Sequence, residues 1–312
     1  MGIDRENQVE LQRWEARKGE LRRGIVDKRK LSHKELGQLR GPYRVLDTSI
    51  IFAETRWNEL KYHERQWLRA EAAARMSREA VLVGRSAARM HGMWIISTTE
   101  EPVELCLLSR GSPPTRRSKE GIVFRRMVLR EEEVSLRDGH RVTNGFRTFA
   151  DIARHHGFIE GLVAADYLRR RGFARALLEQ EVKQLGRLKG IAVVRECIRH
   201  CVDDADSPYE SFARALLIRA GIGPVLTQYE VAGRYFADLC IGGWLLIEID
   251  GDVKYQGPNA ERARQEEFKR QKRIANRGYV FLRYSPDFLR RYPEEFLREV
   301  RETIAGRRAA LE

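Results

Sequence analysis

The acids and the lysine of the segment FADLCIGGWLLIEIDGDVKY are the residues of this chain best spaced for chemistry. Side chains alternate along an extended strand. Leu245, Ile247 and Ile249 therefore share one face of the WLLIEID run, and Glu248 and Asp250 share the other. Two carboxylates on one strand face repel each other and call for a counter-cation. Hard oxygen donors suit magnesium or manganese. Such an ion polarises a phosphodiester, orients an attacking water and steadies the leaving oxygen. A nearby lysine stabilises developing negative charge or helps to activate the water. Lys254, just past Asp250, is the candidate, although judged alone it reads as a plain surface lysine. Asp250-Gly251 also suits simple turn chemistry.

These groups need elements that bring them together. Gly242-Gly243 offers a turn that returns the chain to Asp238. Cross-strand partners share a face, so Asp238 stands opposite Glu248 only across a loop with an odd number of residues. A plain two-residue turn would set Asp238 against Ile247, on the wrong face. An odd loop is therefore expected. Upstream, residues 208–220 pattern as a helix ended by Gly221. Ser207 and Glu210 form a capping box with Pro208 in the first turn, so Glu210 reads both as a cap and as a metal-binding acid. Two strands follow, TQYEVAGRYFADLCI and WLLIEIDG. Then come a helix over 259–277, a strand at YVFLRYSP and a closing helix over 292–306. A strand–helix–strand unit after a hairpin implies a mixed α/β sheet.

The order helix-Glu, Asp, Glu-x-Asp-Gly, Lys-Tyr resembles the PD-(D/E)XK nuclease superfamily. Within it, the segment 207–304 is most similar to the branch related to very-short-patch repair endonucleases, as found C-terminally in actinobacterial proteins. The resemblance implies a restriction-endonuclease-like αβββαβ core in which Asp238 and Glu248 are the metal-binding acids and Glu210 is the acid of the preceding helix. Asp250 stands where the standard motif has its lysine, so Lys254 becomes a displaced replacement and Lys269 an alternative. In KRQKRIANRGYVFLRY, Lys269, Arg270 and Arg283 match the family's charged helix and following strand. Arg270 and Arg283 fit salt bridges or phosphate contacts better than catalysis.

The net charge is +13, and it is unevenly spread. From Asp206 onward there are 18 Lys and Arg against 16 Asp and Glu, which leaves 40 against 29 for residues 1–205. A basic front region points to a polyanion such as nucleic acid, with a solvated face as the plain alternative. Arg22, Arg23, Lys28, Arg29, Lys30, Arg116 and Arg117 are the candidate phosphate contacts there. No apolar run is long enough to span a membrane, and the opening MGIDRENQVELQRWEARK has no apolar core, so a cytoplasmic location and no membrane partner are expected. The four cysteines form no CxxC pair, which fits a reducing compartment. Cys197 and Cys201 sit at helical spacing but lack further ligands for zinc, so buried thiols are the simpler reading.

Along the front half, 8–40 pattern as basic helix, 43–52 as a strand or strand pair, and 60–76 as a long helix. Short alternating runs over 102–148 read as a small sheet. VGRSAARMHG and VTNGFRTFADIAR resemble AbiEi-like antitoxins of the abortive-infection type, through Ser86, Ala87, Ala88, His91, Gly92, Thr143, Arg147, Thr148 and Asp151. That resemblance implies a winged helix near the N-terminus. His91 reads as a packing residue and Arg147 with Asp151 as an i, i+4 pair. The expected organisation is a basic, DNA-binding region over 1–75, an α+β domain over 76–150, a helical connector over 151–205 and a nuclease domain over 206–312. The expected function is a DNA endonuclease dependent on magnesium or manganese, in repair or phage defence, with a second copy of the chain as a candidate partner. A DNA-binding regulator with an inactive nuclease-like domain, and a ribonuclease using the same site, are the alternatives.

Overall fold

The computed structural model describes residues 2–77, 79–109, 120–231, 233, 235–249, 272, 274 and 276–311. The architecture is mixed α/β, and the chain divides into two compact units, Met1–Ile152 and Ala153–Glu312. No described helix is long and apolar enough to cross a membrane.

In the first unit, α1 (Gly2–Arg23) stops at Gly24, short of the helix expected over 8–40. The β-branched Ile25 and Val26 instead form strand β1 (Ile25–Asp27). Its partner is β3 (Ile50–Ala53), paired antiparallel with Ile25 opposite Phe52. Between them lie α2 (His33–Gln38), held by a Ser32–Glu35 capping box, and β2 (Tyr43–Asp47), which forms a hairpin with β3. The sheet order is β1-β3-β2. After α3 (Glu54–Glu59) comes the Ala-rich α4 (Tyr62–Met76), which buries Trp67 and Leu68 completely.

A five-stranded sheet completes this unit. It is built from β4 (Ala80–Leu82), β5 (Val103–Leu107), β6 (Ile122–Phe124), β7 (Val134–Arg137) and β8 (His140–Thr143), in the order β6-β5-β4-β8-β7. Helix α5 (Gly84–His91) follows β4 and ends at Gly92 in the left-handed conformation. One apolar core joins Leu21, Phe52 and Trp67 to Leu82, Met90 and Leu105, so residues on both sides of position 75 share it. Many arginines of the unit are spent internally. Arg89 pairs with Glu101, Arg125 with Glu104, and Arg147 with both Glu133 and Asp151. His91 Nε2 lies 2.7 Å from the Thr143 carbonyl oxygen, a packing role.

Helix α6 (Gly145–His156) runs across position 152. The second unit continues with α7 (Phe158–Arg170), α8 (Arg175–Gln184), α9 (Ile191–His200) and α10 (Pro208–Arg219). Cys197 and Cys201 are fully buried, and burial pushes both thiols up, Cys201 to about 11. They behave as small core side chains rather than as ligands.

Strands β9 (Val225–Val231), β10 (Tyr235–Ile241), β11 (Leu245–Ile249) and β12 (Val280–Tyr284) form a sheet in the order β12-β11-β10-β9. The first three pair antiparallel, and β12 runs parallel to β11. A parallel neighbour requires a crossover. Of that crossover, Lys272 and Ile274 are helical, and Ile274 is buried against Cys240 and Leu246. The remaining residues of the helix expected over 259–277 lie largely outside the described residues. All residues of β11 are buried, as expected for a strand covered on both faces. Helices α11 (Pro286–Arg291) and α12 (Pro293–Leu311) close the unit.

A buried ion pair ties α10 to α7. Arg214 Nη2 donates to Asp166 Oδ1 at 2.9 Å and to Oδ2 at 2.7 Å, and Nη1 donates to the His200 carbonyl at 2.7 Å. Removing one partner of such a pair strands a buried charge. Arg214→Met should therefore lower stability by about 3–5 kcal/mol. Adding Asp166→Leu to it should recover more than half of that loss, as read by denaturant titration.

Candidate active site

Strands β10 and β11 pair with Leu239 opposite Ile247, Cys240 opposite Leu246 and Ile241 opposite Leu245. The loop between them is Gly242-Gly243-Trp244, the odd length that parity demands. Both glycines are left-handed, at φ 62° and 74°, where a side chain would be strained. The Trp244 N–H donates to the Ile241 carbonyl at 3.3 Å, and the Trp244 carbonyl accepts from Val280 N at 3.0 Å. The Arg307 guanidinium of α12 lies 4.5 Å from the Trp244 ring centroid. The loop is thus held from the hairpin, from β12 and from α12.

One further step in this register sets Asp238 across from Glu248. Directly opposed side chains of an antiparallel pair have Cβ atoms about 5 Å apart. Asp238 is half-buried, and its Oδ2 accepts a hydrogen bond from the Ile249 N–H at 2.7 Å. Its carboxylate therefore turns toward the C-terminal end of β11. Glu248 is 6% exposed on that inner strand. Its Oε2 accepts from Arg283 Nη2 at 2.8 Å, and Arg283 is its register partner on β12. A guanidinium therefore supplies part of the positive charge that the sequence pattern assigns to a metal.

Glu210 enters from α10. Its N–H donates to Ser207 Oγ at 3.2 Å, the capping contact expected from the sequence. Its side chain also reaches the sheet. Oε2 accepts from the Asp206 N–H at 2.9 Å and from Gln228 Nε2 at 3.2 Å. Gln228 lies on β9, opposite Asp238. The cap and the contact with β9 coexist in one side chain. Burial pushes the Glu210 carboxyl above the ordinary value of 4.5, because its charged form loses hydration. Nothing in the sequence singles out Gln228. A glutamine within a strand pattern carries no signal of its backbone state or of its partner.

Asp250, Lys254, Lys269, Arg270, Arg116 and Arg117 lie outside the described residues. Among the described residues, no three His, Cys, Asp or Glu side chains converge as a metal cage. Magnesium, however, is commonly held by one or two carboxylates plus substrate phosphates and water. The cross-strand pair of carboxylates Asp238 and Glu248 fits that donor requirement.

In the first unit, two of the candidate phosphate contacts are committed elsewhere. Arg22 pairs with Asp138 at 2.6 Å and with Glu71 at 3.5 Å, and lies over the Trp67 ring. Arg29 donates to both oxygens of Asp27, at 2.9 and 2.7 Å, which holds that carboxyl down to about 2. Arg23, Lys28 and Lys30 make no side-chain ion pair among the described residues, and Arg23 and Lys30 are exposed.

No family model matches the chain, no curated protein is similar to it, and no solved structure matches its fold.

The raised Glu210 value has a thermodynamic sign. A group whose folded value is raised contributes stability that is complete below its unfolded value and is lost as pH rises through the folded one. Glu210→Gln imitates the protonated form and keeps an oxygen acceptor. It should raise Tm by a few degrees at pH 7, with the gain fading below about pH 4 in thermal melts across pH. An equal effect at both ends of the range would rule out this origin.

Proposed function

We propose that the chain is a metal-dependent DNA endonuclease whose active site is built on the sheet of the second unit. The observation that carries this reading is the juxtaposition of Asp238 and Glu248 across the β10–β11 pair, with Glu210 tied to the neighbouring strand through Gln228. The order of α10, three antiparallel strands, a crossover and a parallel β12 supports this reading, being the order expected of a restriction-endonuclease-like core. Asp238 and Glu248, with substrate phosphate and water, would hold magnesium or manganese, which supplies Lewis-acid polarisation of a phosphodiester and a nucleophilic water. Asp238 and Glu248 present the hard oxygens. Arg283, on the edge of the pair, restrains Glu248 and lies where a phosphate oxygen could share its guanidinium. Lys254 remains the candidate for stabilising developing charge, with Lys269 as the alternative.

The first unit would position DNA. Its opening helix, strand β1, helix α2 and β2–β3 hairpin, with β1 pairing to β3, support the winged helix that the resemblance implies. Arg23, Lys28 and Lys30 would contact phosphates, which gives affinity without sequence choice.

The Arg283–Glu248 pair also favours a second reading, a DNA-binding regulator whose nuclease-like domain does not turn over. Incubation of the full chain with supercoiled and linear DNA, with magnesium or manganese, separates the two. Cleavage should be metal-dependent and should fall by about 100-fold or more in Asp238→Ala. Retained DNA binding without cutting under either metal establishes the regulator instead.

Charge reversal at Lys28 and Lys30 should weaken binding on all DNA sequences alike and reduce the salt slope by about 1 for each phosphate that is no longer neutralised. A slope equal to that of the wild type would remove these residues from the interface.

A further inference from the structure

Residues of β2, α3, α4 and the start of β6 enclose a cleft of about 690 Å³ that lies wholly within the first unit. Sites for small molecules run from about 300 to 1,000 Å³. One side of the cleft is the face of α4 that carries Arg65, Gln66 and Arg69. These two arginines differ from others of the unit. Arg22, Arg75 and Arg125 are half-buried, and each meets a carboxylate. Arg65 and Arg69 are half-buried as well, yet both meet only neutral oxygens. Arg65 donates to the Trp57 carbonyl at 3.2 Å and to the Asn58 carbonyl at 2.9 Å. Arg69 donates to Gln66 Oε1 at 3.1 Å, to the Glu101 carbonyl at 3.2 Å and to the Gly121 carbonyl at 3.3 Å. Gly121 makes the last contact possible, because a Cβ there would come within 2.5 Å of Arg69 Nη2. These bonds fix each guanidinium but leave its charge without a counter-ion among the described residues. One helical turn separates the two, so both charges face the same side of α4. Arg44 of β2 adds a third. It is exposed, and it lies with Arg65 over the Trp57 ring, at 5.7 and 5.8 Å from the centroid.

The rest of the lining narrows the ligand. Tyr62 presents a ring that is 53% exposed and is held by the hydrogen bond from its hydroxyl to Glu101 Oε2 at 3.2 Å. Glu100 and Glu120 are exposed carboxylates, which accept hydrogen bonds and would repel a bare anion. Asp47, the remaining acid, is buried and accepts from the Thr48 N–H at 2.5 Å. A ligand that satisfies this lining carries an anionic group, hydrogen-bond donors and a planar ring. A nucleotide has all three in its phosphate, sugar and base. We infer that the cleft binds a nucleotide, with the phosphate on Arg44, Arg65 and Arg69 and the base against Tyr62. Guanidinium groups suit phosphate, and aromatic rings stack with any base. The cleft shares no residue with the carboxylates of the second unit, so the inference stands apart from the endonuclease reading. A free nucleotide and the phosphorylated end of a strand offer the same chemistry.

Isothermal titration of the full chain, without added metal, tests this. The probes are the deoxynucleoside 5′-monophosphates, each beside the 5′-phosphorylated tetranucleotide of the same base, and inorganic phosphate. At least one nucleotide should bind, with inorganic phosphate at least tenfold weaker. Arg65→Gln and Arg69→Gln should each weaken nucleotide binding by about tenfold or more. Arg44→Gln changes an exposed side chain and should act in the same direction, which keeps the test decisive should an α4 variant fail to fold. Tyr62→Ala should cost about 5–100-fold, and Tyr62→Phe, which keeps the ring, should restore most of that loss. Tetranucleotides bound more tightly than their monomers support a strand end as the occupant, and the reverse order supports a free nucleotide. Absence of binding by every nucleotide probe, inorganic phosphate bound as tightly as the nucleotides, or full binding in the arginine variants would overturn the inference.

Discussion

The pairing of β10 with β11 is set within three residues, Gly242, Gly243 and Trp244, and the placing of Asp238 across from Glu248 follows from it. A slip of one residue would move Asp238 to the other face of the sheet and expose Leu239 in its place. Two left-handed glycines make the turn possible, and the tryptophan makes it definite. Its carbonyl starts β12, and its ring lies under Arg307 of the last helix. The chain returns to the hairpin loop from two later elements, so the register is guarded by residues distant in sequence. Because β12 runs parallel to β11, starting it at Trp244 also sets Arg283 beside Glu248.

Charge is handled in the same way in both units. Buried arginines are met by buried carboxylates in each unit. Asp166–Arg214 in the second unit and the Glu133–Arg147–Asp151 set in the first are the clearest cases. Such pairs add little net stability over apolar side chains of equal size, but each tolerates only one arrangement of its helices. The net charge of +13 is therefore not a uniform coat. Part of it is internal.

Elements with strong local signals were legible in the sequence. The Ser-Pro-x-Glu cap marks the start of α10, and its apolar content carries the helix nearly to Gly221. The alternation in WLLIEID, together with Gly242-Gly243, gives both the strand and the parity of its loop. Features set by distant partners were not legible. The short β1 reads as a continuation of helix because its partner β3 lies beyond another helix and a strand. The Arg283–Glu248 pairing depends on a parallel register that no local pattern encodes. Gln228 is the hardest case: its left-handed backbone lies at a break in the β9–β10 ladder, and the residue itself prefers no such state. The acids Asp238, Glu248 and Glu210 stand out by type and spacing, but the way each carboxylate is held comes only with the fold.

The Arg283–Glu248 pair has a consequence for how the site is filled. Glu248 has an internal counter-ion, so the charge of this buried carboxylate on β11 is met within the fold itself. On the proposed endonuclease reading, a cation would have to share that carboxylate with a guanidinium already in place. Occupancy is then a competition rather than a simple filling of an empty charge. A substrate phosphate that draws Arg283 toward itself would loosen the carboxylate at the moment a cation is needed, so nucleic acid and metal would each favour the other's arrival.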